Sequence, residues 1–333
     1  MDPVTQGVLG AVVTQVKVPR EQLLQGACIG ALAGMAPDLD ILIRSATDPL
    51  LAIEFHRHFT HSLLFIPIGA LICSLVFYPL LGKRWQLSFK TTYLWSLIGY
   101  ATHALLDACT SYGTQLFWPL SNQRYAWDFV SVVDPLFTLP LLALVYFACK
   151  KRSHTFIYAG FVWIALFISA GAIQHDRAKT IGWQLAQERG HEVIRLEVKP
   201  SFANLAVWKV IYETPDHFYV DAVKPGISKP RVWEGSHIQK LDIDNQLPWL
   251  EKDSRQANDI SRFAWFSADY VAIDPHDQTR IVDIRYSMLP QNIAPLWGIQ
   301  LSPKADTEQH AQYFTSRGDS VAALQQLLNM IFE

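Results

Sequence analysis

His103 and Asp107 stand four residues apart, the spacing that puts two side chains on one face of an α-helix and within reach of a single ion. An Asp at the centre of a membrane helix costs about 2.5–3.5 kcal/mol, so an ionisable pair inside an apolar stretch marks a candidate site. His103 alone reads as a residue hydrogen-bonding between helices; with Asp107 on the same face it reads as a ligand. His61 adds an imidazole at the start of another apolar segment, with His58 three residues earlier. In Met35-Ala36-Pro37-Asp38-Leu39-Asp40 the proline disfavours helix at the residue before it, and two carboxylates follow in a loop. Asp38 and Asp40 are then either oxygen ligands or caps at the water interface. The mixed His and Asp set suits zinc or another first-row divalent ion, with manganese as an alternative.

Three further residues carry two readings each. Arg57 is an interfacial anchor or a bidentate clamp for phosphate beside the metal. Asp134, followed by Pro135, is a helix start with Asp at the N-cap and Pro at the first helical position, or a general base. His58 reads as a loop or interfacial histidine, and His175, His191, His217, His237, His276 and His310 as surface residues of the polar half.

The elements that must position these groups divide the 333-residue chain into unlike halves. Residues 1–173 hold 11 Lys and Arg with 9 Asp and Glu, and residues 174–333 hold 17 and 21. Half of all residues are hydrophobic and the net charge is −2, which excludes a disordered chain and a nucleic-acid coat. Residues 62–82 form a stretch without a charge, long enough at about 1.5 Å per residue to span a hydrocarbon core of about 30 Å. Residues 91–110, 133–149 and 155–173 are similar in length, while 22–36 and 4–16 are shorter, rich in Gly and Ala, and suited to close packing through small residues. The expectation is an N-terminal transmembrane bundle of five to six segments, some of them short, over 1–173, followed by a soluble antiparallel α+β domain over 174–333. Cys28, Cys73, Cys109 and Cys149 lie in apolar stretches and form no CxxC pair, so they read as small hydrophobes. Asp2 stands where a secretory signal carries basic residues, and no cleaved leader is expected.

Lys and Arg cluster at 17–20, 83–90 and 150–152, which the positive-inside rule places in the cytoplasm. Alternation then puts residues 37–61, 111–132 and everything after about 174 outside, in the periplasm of a bacterium. Asp38, Asp40, His56, His58, His61, His103, Asp107 and Asp134 all fall at that one face. A transporter would need polar groups along a continuous path, yet 62–82 and 155–173 contain no charge, which favours chemistry at a surface over passage.

Four blocks carry a resemblance: Met1-Asp2-Pro3-Val4-Thr5-Gln6-Gly7; Ala36-Pro37-Asp38-Leu39-Asp40; His56-Arg57-His58-Phe59-Thr60-His61-Ser62; and His103-Ala104-Leu105-Leu106-Asp107 with Thr110-Ser111-Tyr112-Gly113. In this order and spacing the chain resembles the YdjM/YbcI-like family of predicted membrane-bound, metal-dependent hydrolases, over residues 1–140. The resemblance implies an inner-membrane protein holding one or more divalent ions, with relatives among zinc phospholipases C and P1-type nucleases. Carried over by position, it implies Asp38, Asp40, His56, His61, His103 and Asp107 as metal ligands, with Arg57 and Thr60 in the same blocks as catalytic residues; Asp134, outside the matching blocks, or an unliganded carboxylate would be the general base. Its substrate would be a phosphoester, small or part of a membrane lipid, with no nucleic-acid partner. Gln6 and His58 depart from the family pattern, which commonly has His and Gly at those places.

In the second half, 193–198, 205–212 and 218–223 show strand alternation, 270–273 and 280–286 form a hairpin, 296–301 is a further strand, and 320–332 a closing helix. It contains no GxSxG, P-loop or HExxH motif. The alternative to an enzyme is a metal-stabilised membrane protein that anchors this domain or carries an ion.

Overall fold

Three glycines set the geometry of the N-terminal half in the computed structural model, which describes residues 1–226 and 229–332. The helices are, in chain order, α1 (Pro3–Gln15), α2 (Leu23–Met35), α3 (Leu51–Phe55), α4 (Ile66–Phe77), α5 (Phe89–Ala108), α6 (Pro135–Lys151), α7 (Thr155–Glu188), α8 (Ile243–Gln246), α9 (Arg255–Phe266) and α10 (Ser320–Phe332). Where α1, α2 and α5 cross, a Cβ on either Gly10 or Gly99 would collide with the carbonyl oxygen of Gly30. Only hydrogen at these positions lets the backbones approach so closely.

The chain divides into two units. Met1–Leu42, Phe55–Ile173 and Phe202–Asn204 form the first, and Ile43–Glu54, Gln174–Ser201 and Leu205–Glu333 the second. In the first, Asp2 caps α1 by accepting the Thr5 N–H at 3.0 Å, Ser88 caps α5 from Thr91, and Asp134 caps α6 from Leu136, with Pro135 at the first helical position. Lys150 and Lys151 close the last turn of α6, and Arg152 follows in the left-handed region (φ 49°).

The bundle of five to six membrane segments expected from the sequence is not what the structure shows. Among the described residues, two helical runs are long and apolar enough to cross a membrane, Leu63–Gly82 with 20 residues and Thr155–Glu188 with 34. The physical reason is length and polarity. The 13-residue helices α1 and α2 reach about 20 Å and the 17-residue α6 about 26 Å, short of a hydrocarbon core of about 30 Å. The 20-residue α5 is long enough but carries Lys90, His103 and Asp107, and it buries Thr92, Ser96, His103 and Asp107 inside the unit. On α4, by contrast, Ile68, Leu71, Ile72, Leu75 and Val76 are exposed, an apolar surface of the kind that lipid covers.

The second unit contains two antiparallel sheets. The strands are β1 (Arg195–Pro200), β2 (Trp208–Glu213), β3 (His217–Lys224), β4 (Arg231–Trp233), β5 (His237–Gln239), β6 (Val271–Asp274), β7 (Asp277–Asp283), β8 (Trp297–Gln300) and β9 (Gln312–Thr315). The first sheet has the order β1-β2-β3-β4 with β5 also paired to β3, and the second the order β6-β7-β8-β9. Strand alternation gives each face its own core. Trp208, Val210 and Tyr212 of β2 pack with Ala178 and Ala186 of α7, while Ile211, Phe218 and Val220 pack with Tyr270, Ala272, Val282 and Ile284 between the sheets. Phe263 and Ile260 of α9 cover the far side of the second sheet with Ile273, Ile281 and Ile299.

Lys209, two residues from Ile211 and on the same face, is buried between the sheets and donates to Ser287 Oγ at 2.8 Å and to the Asn292 carbonyl at 2.7 Å. Burial depresses its pKa to about 7, opposed by the charge of Asp283 and helped by that of Lys199. The unfolded lysine retains its proton up to about pH 10.4, so between about pH 7 and that value the unfolded state binds more protons than the folded one. The contribution of Lys209 therefore becomes more favourable to folding as pH rises through this window. Exchange protection of the β1–β3 amides, corrected for intrinsic rates, is expected to rise from pH 7 to 9 more steeply in the wild type than in Lys209→Met. Equal slopes in the two proteins would refute the assignment.

Candidate metal centre

Four side chains from three segments meet in the first unit. Asp38 comes from a 3-10 turn (Ala36–Leu42) that continues α2, His61 from a second such turn (Phe59–His61), and His103 and Asp107 from successive turns of α5. One donor atom from each lies within 4.8 Å of all the others. His103 Nε2 is 3.3 Å from Asp38 Oδ1 and 3.7 Å from Asp107 Oδ2, and His61 Nε2 is 3.5 and 3.4 Å from the same two atoms. Ligands held tetrahedrally at about 2.0–2.1 Å from an ion stand about 3.3 Å from one another. The two Nε2 atoms are 2.8 Å apart, shorter than that spacing.

The outer atoms of both rings fix what the inner atoms offer. His103 Nδ1 lies 2.6 Å from the Gly34 carbonyl, which can only accept, so Nδ1 carries the hydrogen. His61 Nδ1 lies 3.2 Å from Asp40 Oδ2 and 3.0 Å from Thr60 Oγ1, and the Thr60 hydroxyl itself donates to Asp40 Oδ2 at 2.9 Å. A hydrogen on His61 Nδ1 is therefore directed at the carboxylate. With an ion in place of the remaining proton, both Nε2 atoms would present lone pairs to the centre, the orientation that outer carbonyls and carboxylates impose on metal-binding histidines.

Asp107 supplies the strongest sign that a cation fits here. Its Oδ1 accepts from Gln6 Nε2 at 2.8 Å and is ion-paired to the Met1 amino group, whereas its Oδ2 is buried without a hydrogen-bond partner. Arg57 Nε lies 3.0 Å from that Oδ2 but is too poorly aligned to bond it, and Nε is likewise buried and unbonded. An ion at the centre would satisfy Oδ2. The residues present thus fit a divalent metal in number, donor type and orientation.

Charge agrees with this. Burial opposes a charged His61, yet the nearby carboxylates of Asp107, Asp38 and Asp40 outweigh it and push its pKa up to about 10. For Asp38, burial favours the neutral acid, and hydrogen bonds with His103 and His61 overcome it and hold the carboxyl well below the usual range. Asp40 is held down in the same way by His56 and His61 against its burial. A pocket that raises the basicity of its imidazole and lowers that of its acids is one that attracts positive charge.

The remaining expected residues surround the four without joining them. Asp40 and His56 pair with each other, His56 Nδ1 lying 2.8 Å from Asp40 Oδ1, and His56 is about one-third exposed. Thr60 acts through Asp40. Arg57 has a left-handed backbone (φ 65°), held there by its N–H on Asp40 Oδ2 at 3.0 Å and its carbonyl on the Gln115 N–H at 3.1 Å. Its guanidinium donates to Thr110 Oγ1 at 2.9 Å and lies 5.2 Å from the centre of the Tyr112 ring. Asp134 is not among the converging residues. It caps α6, burial raises its pKa against the Leu136 and Phe137 N–H bonds, and its Oδ2 is buried without a partner. His58 packs against Trp118, with ring centres 5.0 Å apart. Tyr100, not anticipated from the sequence, donates to the Thr60 carbonyl at 2.9 Å and so helps place His61; its position three residues before His103, on the same helix face, was the available signal.

Because Asp40 orients His61, Asp40→Asn should weaken divalent-metal affinity by about 10–100-fold while leaving all four inner donors in place. Competition with a chromogenic chelator measures this, and an unchanged affinity would remove Asp40 from the centre.

The chain is similar to proteins of two bacteria. Bacillus subtilis (strain 168) has a protein named "Uncharacterized protein YfhP" that is 26% identical over 276 residues, covering 78% of this chain and 76% of its own length. The Escherichia coli (strain K12) "Inner membrane protein YbcI" is 28% identical over 142 residues, covering 41% of this chain and 75% of its own length. No solved structure matches the chain significantly. The model of the YdjM inner membrane protein family matches residues 1–178, the region that holds the starting points of both candidate spans and all four converging residues. On that match, over more than half its length, the chain belongs to the YdjM inner membrane protein family.

Proposed function

We propose that the protein is a metal-dependent hydrolase of the bacterial inner membrane, acting at the outer membrane face on a phosphoester. The observation that carries this reading is the convergence of Asp38, His61, His103 and Asp107 around a buried, unsatisfied carboxylate oxygen, with an arginine beside it. These four residues would hold the ion, zinc or manganese. When bound, such an ion supplies Lewis acidity, acidifying water and withdrawing charge from a phosphoryl oxygen. Asp40 keeps His61 in the tautomer that presents Nε2, and the Gly34 carbonyl does the same for His103. Arg57 offers its planar fork to phosphate oxygens, braced by Thr110 and by the ring of Tyr112. Asp38 is the side through which substrate and water approach, since its side chain is 19% exposed and those of the other three are closed. Asp134, with a raised pKa and a free buried oxygen, is the candidate for accepting a proton.

Both candidate spans support the same orientation. Lys83 and Arg84 follow Leu63–Gly82, while Lys150, Lys151 and Arg152 precede Thr155–Glu188. Retention of these cations in the cytoplasm puts His61, just before the first span, and the C-terminal unit, after the second, in the periplasm. An alkaline phosphatase fused after Ile173 should be active, and activity only of a cytoplasmic reporter at that point would reverse the topology.

The near-complete burial of three ligands favours one second reading, a closed structural ion that braces the first unit. Full-length protein in nanodiscs, loaded with zinc or manganese, separates the two. Hydrolysis of bis(p-nitrophenyl) phosphate, or release of a phospholipid head group, that is absent in His103→Ala supports the enzyme. Stoichiometric metal with no turnover of either substrate above the variant supports the brace.

A further inference from the structure

The second unit contains a cavity of about 660 Å³, within the size range of small-molecule sites. It lies between β5, the β6–β7 turn, the segment 288–296, β9 and the residues leading into α10. Its walls are mostly apolar, built by Ile238, Leu289, Ile293, Leu296 and Phe314. The 288–296 wall is fixed from behind, because Lys209 holds the Ser287 hydroxyl and the Asn292 carbonyl.

The polar groups at this cavity are unequally committed. Both carboxylates are occupied by backbone N–H groups, Asp274 by His276 at 2.9 Å and Asp319 by Ala322 at 3.1 Å. Arg280 is anchored on Gln300 at 2.6 Å and packs over the Phe314 ring at 4.9 Å, closing one apolar wall with a cation. Arg317 is exposed and has no hydrogen-bond or ion-pair partner among the described residues, and the His276 ring has none either. An apolar hollow at which an arginine and an imidazole stand without partners among the described residues, while each carboxylate is tied to a backbone N–H of its own turn, suits a ligand with an anionic head and an apolar body.

We propose that this cavity binds a small amphipathic organic anion, its carboxylate or phosphate head at Arg317 and His276 and its hydrocarbon body against Ile293, Leu296 and Phe314. The proposal is independent of the metal centre. Single-chain lipids of either head chemistry would qualify, and the test distinguishes them.

Hydrogen exchange is followed by mass spectrometry on the full chain in nanodiscs, with octanoate, octyl phosphate, octylammonium or octanol added at equal concentration. At a ligand concentration ten times the Kd, exchange through local opening slows by about tenfold. Such slowing is expected across 288–296 and 314–323 with octanoate, octyl phosphate or both, the stronger of the two identifying the head group. It is expected to be absent with octylammonium and octanol, and lost in Arg317→Glu while the exchange of β1–β3 stays unchanged. Equal protection by octanol, protection that survives Arg317→Glu, or no protection by either anion would overturn the proposal.

Discussion

Replacing His103 with alanine is expected to lower the affinity of the first unit for a divalent metal by about two to three orders of magnitude. Four-ligand zinc sites bind with apparent free energies of about 10–16 kcal/mol, so one ligand of four is worth about 2.5–4 kcal/mol. His103 combines Nε2 at the centre with an Nδ1 hydrogen bond to Gly34, so alanine removes both an inner donor and a link between α5 and α2. Elemental mass spectrometry of the detergent-purified protein, after dialysis against a chelator, should find near-stoichiometric metal in the wild type and little in the variant. Membrane insertion should be unchanged, since neither candidate span includes position 103. Full metal content in the variant would exclude the centre described above, and any phosphoester hydrolysis must fall with the metal for the proposed function to stand.

Loss of the Arg57 side chain should have the largest effect on stability. Asp107 is fully buried, and Arg57, itself 2% exposed, is one of the cations that compensate it. Removing one partner of a buried pair leaves an unpaired charge at a cost of about 3–5 kcal/mol. Arg57→Ala should accordingly lower the thermal midpoint of the metal-free protein by several degrees or more. The left-handed backbone at this position lets a second variant separate side chain from strain: Arg57→Gly removes the same guanidinium but relieves about 1 kcal/mol of steric cost, so it should unfold above Arg57→Ala and below the wild type. Arg57→Lys keeps the charge without the planar fork and should recover stability better than it recovers turnover of a phosphoester. A midpoint for Arg57→Ala equal to the wild type would show that Asp107 is compensated without it.

The positions of the candidate ligands were legible in the chain because each signal is local. A helical spacing of four gave the pairing of His103 with Asp107, and Pro37 gave the break that puts Asp38 and Asp40 outside α2. The strands β1, β2, β3, β6, β7 and β8 were visible in the sequence, whereas β4, β5 and β9 were not, since β4 and β5 have three residues, too few to show a period, and β9 is set in a polar stretch. The helix α9 was also missed, its polar face interrupting the apolar positions that pack on the second sheet.

Residue type and spacing by themselves determined the inventory: which side chains can ligate, where the longer helices and most of the strands lie, and that the charge-poor half differs from the charge-rich one. Only the tertiary structure decided which ligands are inner and which are outer. Asp38 and Asp40 are two residues apart and chemically identical, yet one carboxylate faces two Nε2 atoms and the other faces an Nδ1, because the 3-10 turn that carries them directs them differently. The number of membrane-crossing helices was decided there too. Apolar stretches of similar composition either reach across a bilayer or bury themselves against glycine-lined neighbours, and where a helix ends and what packs on it depend on contacts between residues far apart in the chain.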